Sequence, residues 1–522
     1  MKDNARFDAE KSKTVRKVAT ASFFCNFIEW FDYATYSYFA VVIAQVFFPN
    51  DDPALALIQT FAVFALSFLL RPIGAIFWGN MGDKKGRKWS LTVSVFMMAG
   101  ATFCIGLLPG YAALGICAPA LLLLLRMIQG FSASGEYAGA ATFLAEYAPT
   151  DKRGMYCSIV PASTAIGLLV GSAFATVMYT IMPEAAVNEW GWRIPFILAG
   201  PLGIGAYFVN IQLEDSPTYQ AMQRALKDAE ASGAAGAPER PIHCLFTKHL
   251  RKLIISIGAA MLNAVGFYVV LTYLPVYLET AVMMPKNEAS LITTIALITY
   301  VAFIFASGHL SDKFGRKKML ITACVCFIVF TIPAFILMST ANFVTVLVVE
   351  LIMCLILTIN DGTLSSYLSE TFPTQVRYSG FALSFNMANA LFGGTASFIC
   401  TSLITATGST LAPAFYMVAV SCVALVAMIM SHEHSNKDLS EIWRFDWVIA
   451  GSSYRDRLVM AGKLLKNFYL GIAFCRRVYL RRFFIGLRCR KVTTCLQMAN
   501  IDKRTVSSSY PPVHRRAFWA LP

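Results

Sequence analysis

Glu29, Asp32, Arg71, Arg126, Glu136 and Asp361 are ionisable residues set inside long apolar runs of the chain. A charge at membrane depth is costly unless paired or hydrated, so each is a functional candidate by default. Glu29, Asp32 and Tyr36 recur at intervals of three and four and share one helix face. A carboxyl whose proton affinity follows its surroundings can load and unload a proton, and Asp32 and Glu136 are the candidates for that chemistry. Arg126 and Glu136 stand ten residues apart on one helix, about 15 Å along its axis, too far to pair with each other. Arg126 therefore finds a partner on another helix or grips the carboxylate of a ligand bidentately. Arg71, in RPIGA, is expected to tie its helix to the following loop, and Asp361, in TINDGTLSSY, to be a hydrogen-bonded anchor.

The second half of the chain carries fewer charges and more neutral polar groups. Asn263, Tyr268 and Tyr273 lie on one run, Asn386 and Asn389 on another. With Glu29, Tyr36 and Arg126 they form the candidate ligand-binding set. Aromatic rings there suit a quaternary ammonium through cation–π contact, and packing plus an interfacial aromatic belt is the competing reading. Pro275 is expected to break its helix.

The elements that position these groups follow from composition. The chain has 522 residues, 57% hydrophobic and 14% charged, with a mean hydropathy of +0.58. Apolar runs of roughly 20 residues or more recur, the length that crosses a bilayer. They predict an all-α membrane protein with twelve transmembrane helices in two six-helix halves. A polar segment (1–17) precedes the first bundle (18–211), a central loop (212–251) joins it to the second (252–431), and a basic tail (432–522) follows. Lys and Arg collect at the N-terminus, at 84–88, 152–153 and 313–318, and around the central loop. With twelve spans these fall on one side, which makes both termini cytoplasmic. No cleaved signal peptide is read at the start. The thirteen cysteines show no metal-ligand spacing and read as small buried residues, so no metal and no disulfide are expected.

GNMGDKKGRK at 79–88 returns as GHLSDKFGRK at 308–317. Gly79, Asp83, Gly86 and Arg87 match Gly308, Asp312, Gly315 and Arg316 at a separation of 229. EYAPTDKR at 146–153 similarly matches ETFPTQVR at 370–377, placing Arg153 opposite Arg377 at a separation of 224. Two unrelated motifs repeating at almost one interval mark a duplicated six-helix unit, with a site between the halves near the midplane. The glycines permit a tight turn. Each aspartate is placed to meet a helix N-terminus or a basic residue in one conformer only, which makes a conformational latch rather than a plain basic loop.

The G-x-x-x-D-x-x-G-R-K loops resemble those of the major facilitator superfamily, as does RMIQG at 126–130. IEWFDYATYSYFA, LLRPIGAIFWGNMGDKKGRK, QGFSASGEYAGAATFLAEYAPTDKRG and NEWGWRIPFILAGPLG resemble its metabolite:proton symporter family over about residues 18–431. FCIGLLPGYAALGICAPALLLL is similar to the proline/betaine branch, and SFNMANALFGG to the carboxylate carriers. The resemblance implies a secondary active transporter of the bacterial inner membrane that takes up a small organic solute with a proton and needs no other cofactor. Proline or glycine betaine is the first substrate class, a carboxylate such as α-ketoglutarate, citrate or shikimate the alternative. Efflux members carry a Gly-Pro-rich fifth span; VPASTAIGLLVGSAF instead offers Gly167 and Gly171 at GxxxG spacing, which serves close helix approach and favours uptake.

A channel would need a continuous polar lining, and no nucleotide loop or nucleophile–base set marks an enzyme. The partners expected are a small solute and membrane lipid, with no nucleic acid, and a monomer suffices. From 451 on there are fifteen Lys or Arg against two Asp or Glu, a formal +13 of the chain's +14, so the body is near neutral. RRVYLRRFFIGLRCRKV reads either as a basic amphipathic helix on anionic lipid or as the product of a shifted frame. No heptad of the osmosensing type is visible. The central SGAAGAPERP reads as flexible linker with no chemistry assigned.

Overall fold

The computed structural model describes residues 2–49, 53–211, 213–231, 241–435 and 437–439. The basic stretch RRVYLRRFFIGLRCRKV lies outside them.

Among the described residues, ten helices are long and apolar enough to cross a membrane. In the first half these are spans three to six, Arg87–Leu107, Cys117–Tyr147, Arg153–Ile181 and Val187–Ile211. In the second they are spans seven to twelve, Leu250–Thr280, Glu288–Phe314, Arg316–Met338, Phe343–Thr371, Arg377–Thr407 and Ala412–Met430. The remaining two spans are broken helices. Span one is Lys2–Tyr38 continued by Ala40–Phe47, and span two is Pro53–Leu69 continued by Arg71–Lys85. The twelve-helix, two-half architecture expected from the sequence is present. One departure is that helix begins at Lys2 rather than near residue 18.

The glycines of the repeated loops work as their spacing requires. Gly86 and Gly315 adopt φ of 107° and 93°, a region L side chains rarely enter, so each chain reverses there between two spans. Gly79 and Gly308 instead allow close approach. A Cβ on Gly79 would stand 2.6 Å from the Ser379 Cα, and one on Gly308 2.7 Å from the Gly154 carbonyl oxygen. Span two thus meets span eleven, and span eight meets span five, across the boundary between halves.

Span seven changes pitch at Tyr268–Tyr273, a π-helical segment just before Pro275. Proline lacks the N–H that would bond four residues back, so the ladder is disturbed there as its position suggested. Span eleven has a second π-helical segment, Asn389–Gly393, which no sequence signal announced. Such wide turns often sit at functional sites. These two meet: a Cβ on Gly393 would lie 2.9 Å from the Tyr268 ring.

Candidate functional site

Two charge clusters clasp the halves at the end bearing the basic loops. In the first, the Asp83 carboxylate accepts from the Tyr378 amide (3.2 Å) and from the Ser379 amide (2.9 Å) and hydroxyl (2.7 Å). These are the first free amides of span eleven, where the helix dipole favours an anion. Arg87 pairs with Asp83 (3.2 Å) and Glu146 (3.3 Å), and Arg377 crosses from the other half to Glu146 at 2.6 Å. The second cluster repeats the arrangement. Asp312 accepts from the amides of Gly154 (2.7 Å) and Met155 (3.0 Å), which open span five. Arg316 pairs with Asp312 (2.8 Å) and Glu370 (3.2 Å), and Arg153 crosses to Glu370 at 2.9 Å. Both expected roles of the aspartate, at a helix N-terminus and beside a basic residue, are realised at once.

The segments after spans six and twelve join these clusters, although the sequence reading assigned the first of them no chemistry. Asp215 accepts from the Lys88 amide (2.9 Å) and Glu433 from the Lys317 amide (2.8 Å), capping spans three and nine. Ser216 donates to Glu146, and the Arg87 guanidinium lies 4.8 Å from the Tyr219 ring centre. The crossing arginines also donate to the segment after span twelve: Arg153 to the Lys437 carbonyl (3.3 Å) and Arg377 to that of Leu439 (3.2 Å). Spans three and six pack side by side, so the chain leaving span six passes the start of span three. No sequence window contains that proximity.

Deeper in the bundle, Asp32 and Arg126 form a buried ion pair at 2.7 Å. Gln129 also donates to Asp32 (3.2 Å) and to Thr102 (2.6 Å). The Arg126 guanidinium lies 3.7 Å from the centre of the Tyr36 ring, whose hydroxyl donates to the Thr60 carbonyl at 3.0 Å. Arg71 was expected to reach the loop; it lies in the bundle and bonds Glu29 and the Tyr33 hydroxyl, each at 2.6 Å. Twelve residues, about three turns of helix, separate it from Asp83 at the loop, and a carboxylate nearer its own depth takes it first. Glu136 is fully buried, and neither carboxylate oxygen has a hydrogen-bond partner. Asp361 accepts from Asn263 (2.7 Å), Tyr300 (2.7 Å) and Asn360 (3.0 Å), the anchored arrangement.

Between the halves lies a cavity of about 20 Å³, room for about one water in this conformation. Spans one, four and five face spans seven, eight and eleven across it. Its aromatic walls are Trp30, Tyr137, Phe267, Tyr300 and Phe385. Trp30 meets Phe267 edge-on at 5.3 Å, and Tyr137 stacks on Phe385 at 4.1 Å. Pro161, Thr164, Asn263 and Asn389 complete the lining, which holds no acidic or basic residue. Span one comes close enough to place Trp30 because span five offers glycine there: a Cβ on Gly167 would lie 2.9 Å from the Trp30 Cβ, and one on Gly171 2.5 Å from that of Ala34.

Asn263 and Asn389 of the candidate ligand set therefore line the cavity; Glu29, Tyr36 and Arg126 belong to the ion-pair networks beside it. Tyr268 sits behind Trp30, ring centres 6.5 Å apart. Tyr273 accepts from Thr401 at 3.3 Å, and Asn386 ties span eleven to span four by donating to the Ser134 carbonyl at 2.8 Å. Sequence reasoning missed the aromatic walls, since single aromatic residues in apolar runs look like core. It also passed over Glu350, a fully buried carboxyl in VLVVELIM whose signal, a lone acid in a greasy run, was in plain view.

A family model described as sugar (and other) transporter matches residues 18–445. The proline/betaine transporter of Salmonella typhimurium is 36% identical over 425 residues, which cover 81% of this chain and 85% of that protein. The glycine betaine/proline/ectoine/pipecolic acid transporter OusA of Dickeya dadantii is 35% identical with the same coverage. Among solved structures, the proton:xylose symporter XylE of E. coli, bound to 6-bromo-6-deoxy-D-glucose, superposes with a TM-score of 0.69 at 18% identity, covering 83% of this chain and 99% of that one; this likeness is one of fold.

Proposed function

This chain belongs to the sugar (and other) transporter family within the major facilitator superfamily, and from that premise we propose that it imports a zwitterionic solute of the proline and glycine betaine type in symport with protons. The observation that carries the substrate class is the lining of the central cavity, which holds no acidic or basic side chain. A dicarboxylate or tricarboxylate enclosed there would bury net charge without a counterion, at a cost of several kcal/mol. A zwitterion enters with none. Relatives named for proline and betaine support the same class, and the carboxylate alternative has no matching feature in the cavity.

The proton is carried by Asp32. Its partner Arg126 sits on span four and Asp32 on span one, two residues from the cavity-lining Trp30. Protonating Asp32 dissolves the ion pair that joins these spans, so proton binding and the shape of the cavity are linked. Glu136, fully buried with neither carboxylate oxygen hydrogen-bonded, is the second proton-carrying group. The proton is the coupling ion, and no metal, other cofactor or catalytic residue takes part.

The charge clusters act as latches. The basic loops at the clasped end support placing that end, with both termini, in the cytoplasm of a bacterial inner-membrane protein. The conformation described is then closed to the cytoplasm, and inward opening must break both clusters. The chain works as a monomer, with anionic lipid the only other partner. Reconstituted vesicles with an imposed inward proton gradient test the proposal: labelled proline or betaine should accumulate uphill and citrate or α-ketoglutarate should not. Uphill uptake of the carboxylates alone would reverse the assignment.

A further inference from the structure

We propose that Trp30 determines substrate class by donating its indole N–H to the carboxylate of the solute, whose ammonium group then lies among the aromatic walls of the cavity. The inference deepens the uptake reading above and rests on it. It comes from counting which polar hydrogens in the cavity are still free. The Asn263 amide nitrogen is committed to Asp361 and the Asn389 amide nitrogen to the Phe385 carbonyl. Tyr300 donates to Asp361, Tyr137 shares a hydrogen bond with Ser365, and Thr164 donates to the Val160 carbonyl. Trp30 Nε1 is buried and has no partner. Each asparagine keeps a second N–H, but among the described residues that line the cavity Trp30 Nε1 is the one donor atom with no partner at all.

The chemistry of the two ends of a zwitterion follows. A carboxylate needs donors; the indole N–H is the one whose donor atom makes no bond in the protein, and the second N–H groups of Asn263 and Asn389 can only add to it. An ammonium carrying methyl groups has no N–H to satisfy and is stabilised by ring faces, with Trp the strongest of them. A secondary ammonium, as in proline, has two hydrogens, for which the committed amide nitrogens of Asn263 and Asn389 leave only their oxygens as acceptors. A cation without a carboxylate would leave the indole unsatisfied, and an isolated anion would face aromatic walls. Trp30 is also held where it can act: the Gly167 contact fixes its Cβ, and Phe267, from the other half, meets its ring edge-on.

The test uses full-length protein in proteoliposomes and two probes, glycine betaine and choline, which share a trimethylammonium group and differ at the carboxylate. In wild type, choline should compete at least about tenfold more weakly than betaine. Trp30→Phe keeps a ring and removes the N–H. It should raise the KM for betaine roughly ten- to a hundredfold, the worth of a hydrogen bond to a charged group, while the Ki of choline stays within about twofold. An unchanged KM for betaine, or a parallel weakening of choline, overturns the proposal. Should the variant fail to insert, wild type still decides: equal competition by choline and betaine overturns it, and a tenfold preference for betaine supports it. Wild-type vesicles that take up neither proline nor betaine would overturn the uptake reading together with this one, whereas normal wild-type uptake with an indifferent Trp30→Phe variant would overturn this one alone.

Discussion

Arg377 on span eleven and Glu146 on span four meet at 2.6 Å across the boundary between the halves. Their repeat-related counterparts, Arg153 and Glu370, meet at 2.9 Å with the direction of crossing reversed. Each glutamate also receives the arginine of its own half's repeated loop. Each cluster thus sets two buried guanidinium groups against two carboxylates, and the glutamate is the one that touches both arginines and so joins the halves.

Removing one carboxylate should therefore release the clasp. Glu146→Gln leaves Arg377 buried without its counter-charge and Arg87 with Asp83 alone, and breaking such a set costs about 3–5 kcal/mol. The clasped conformer should lose that much relative to the open one. Distance measurements between labels at the exposed positions Lys85 and Lys313 should show a shift to longer separation. Glu370→Gln should act alike, and unchanged distances in both variants would remove the latch assignment.

Asp32 and Glu136 should respond differently to amide substitution. Asp32→Asn strands Arg126 and should lower thermal stability by about 3–5 kcal/mol, with uphill uptake lost while solute exchange at equal concentrations persists. Glu136→Gln breaks no hydrogen bond or ion pair of the carboxylate and should cost less stability than Asp32→Asn, its main effect falling on proton-driven accumulation. If both variants still concentrate solute on a proton gradient, neither carboxyl couples.

Asp83 takes three hydrogen bonds from the start of span eleven. Asp83→Asn removes the negative charge that this helix end holds and should shift the same label distances to longer separation. Unchanged distances would take Asp83 out of the clasp.

Two truncations separate the parts of the tail. Ending the chain after Leu439 should leave uptake intact, because the carbonyls of Lys437 and Leu439 that the crossing arginines use remain. Ending it after Ser431 removes them together with Glu433, the cap of span nine, and should loosen the clasp as Glu146→Gln does. Uptake abolished in both correctly inserted forms would give the distal tail a role of its own.

Hydropathy and repetition carried the architecture in the sequence. Apolar runs of bilayer length can do little but form spans, and GNMGDKKGRK and GHLSDKFGRK marked the duplication together with the residues of both clusters. These features were legible because each depends on residues close together in the chain or on a match between two windows. Asp32 and Arg126 stood out singly for the same reason: a charge in an apolar run is conspicuous without knowing its neighbours. Their pairing was not visible, and neither was the move of Arg71 to Glu29 or the reach of Asp215 and Glu433 to helix starts. Which charge meets which depends on how helices from distant segments turn and pack. The cavity belongs wholly to that second category. Its walls come from six spans, and Trp30 Nε1 stands out in it because every other lining donor atom has a partner. Sequence alone decided that there would be a membrane bundle with buried charge. Tertiary packing decided which donor atom would stay unpartnered.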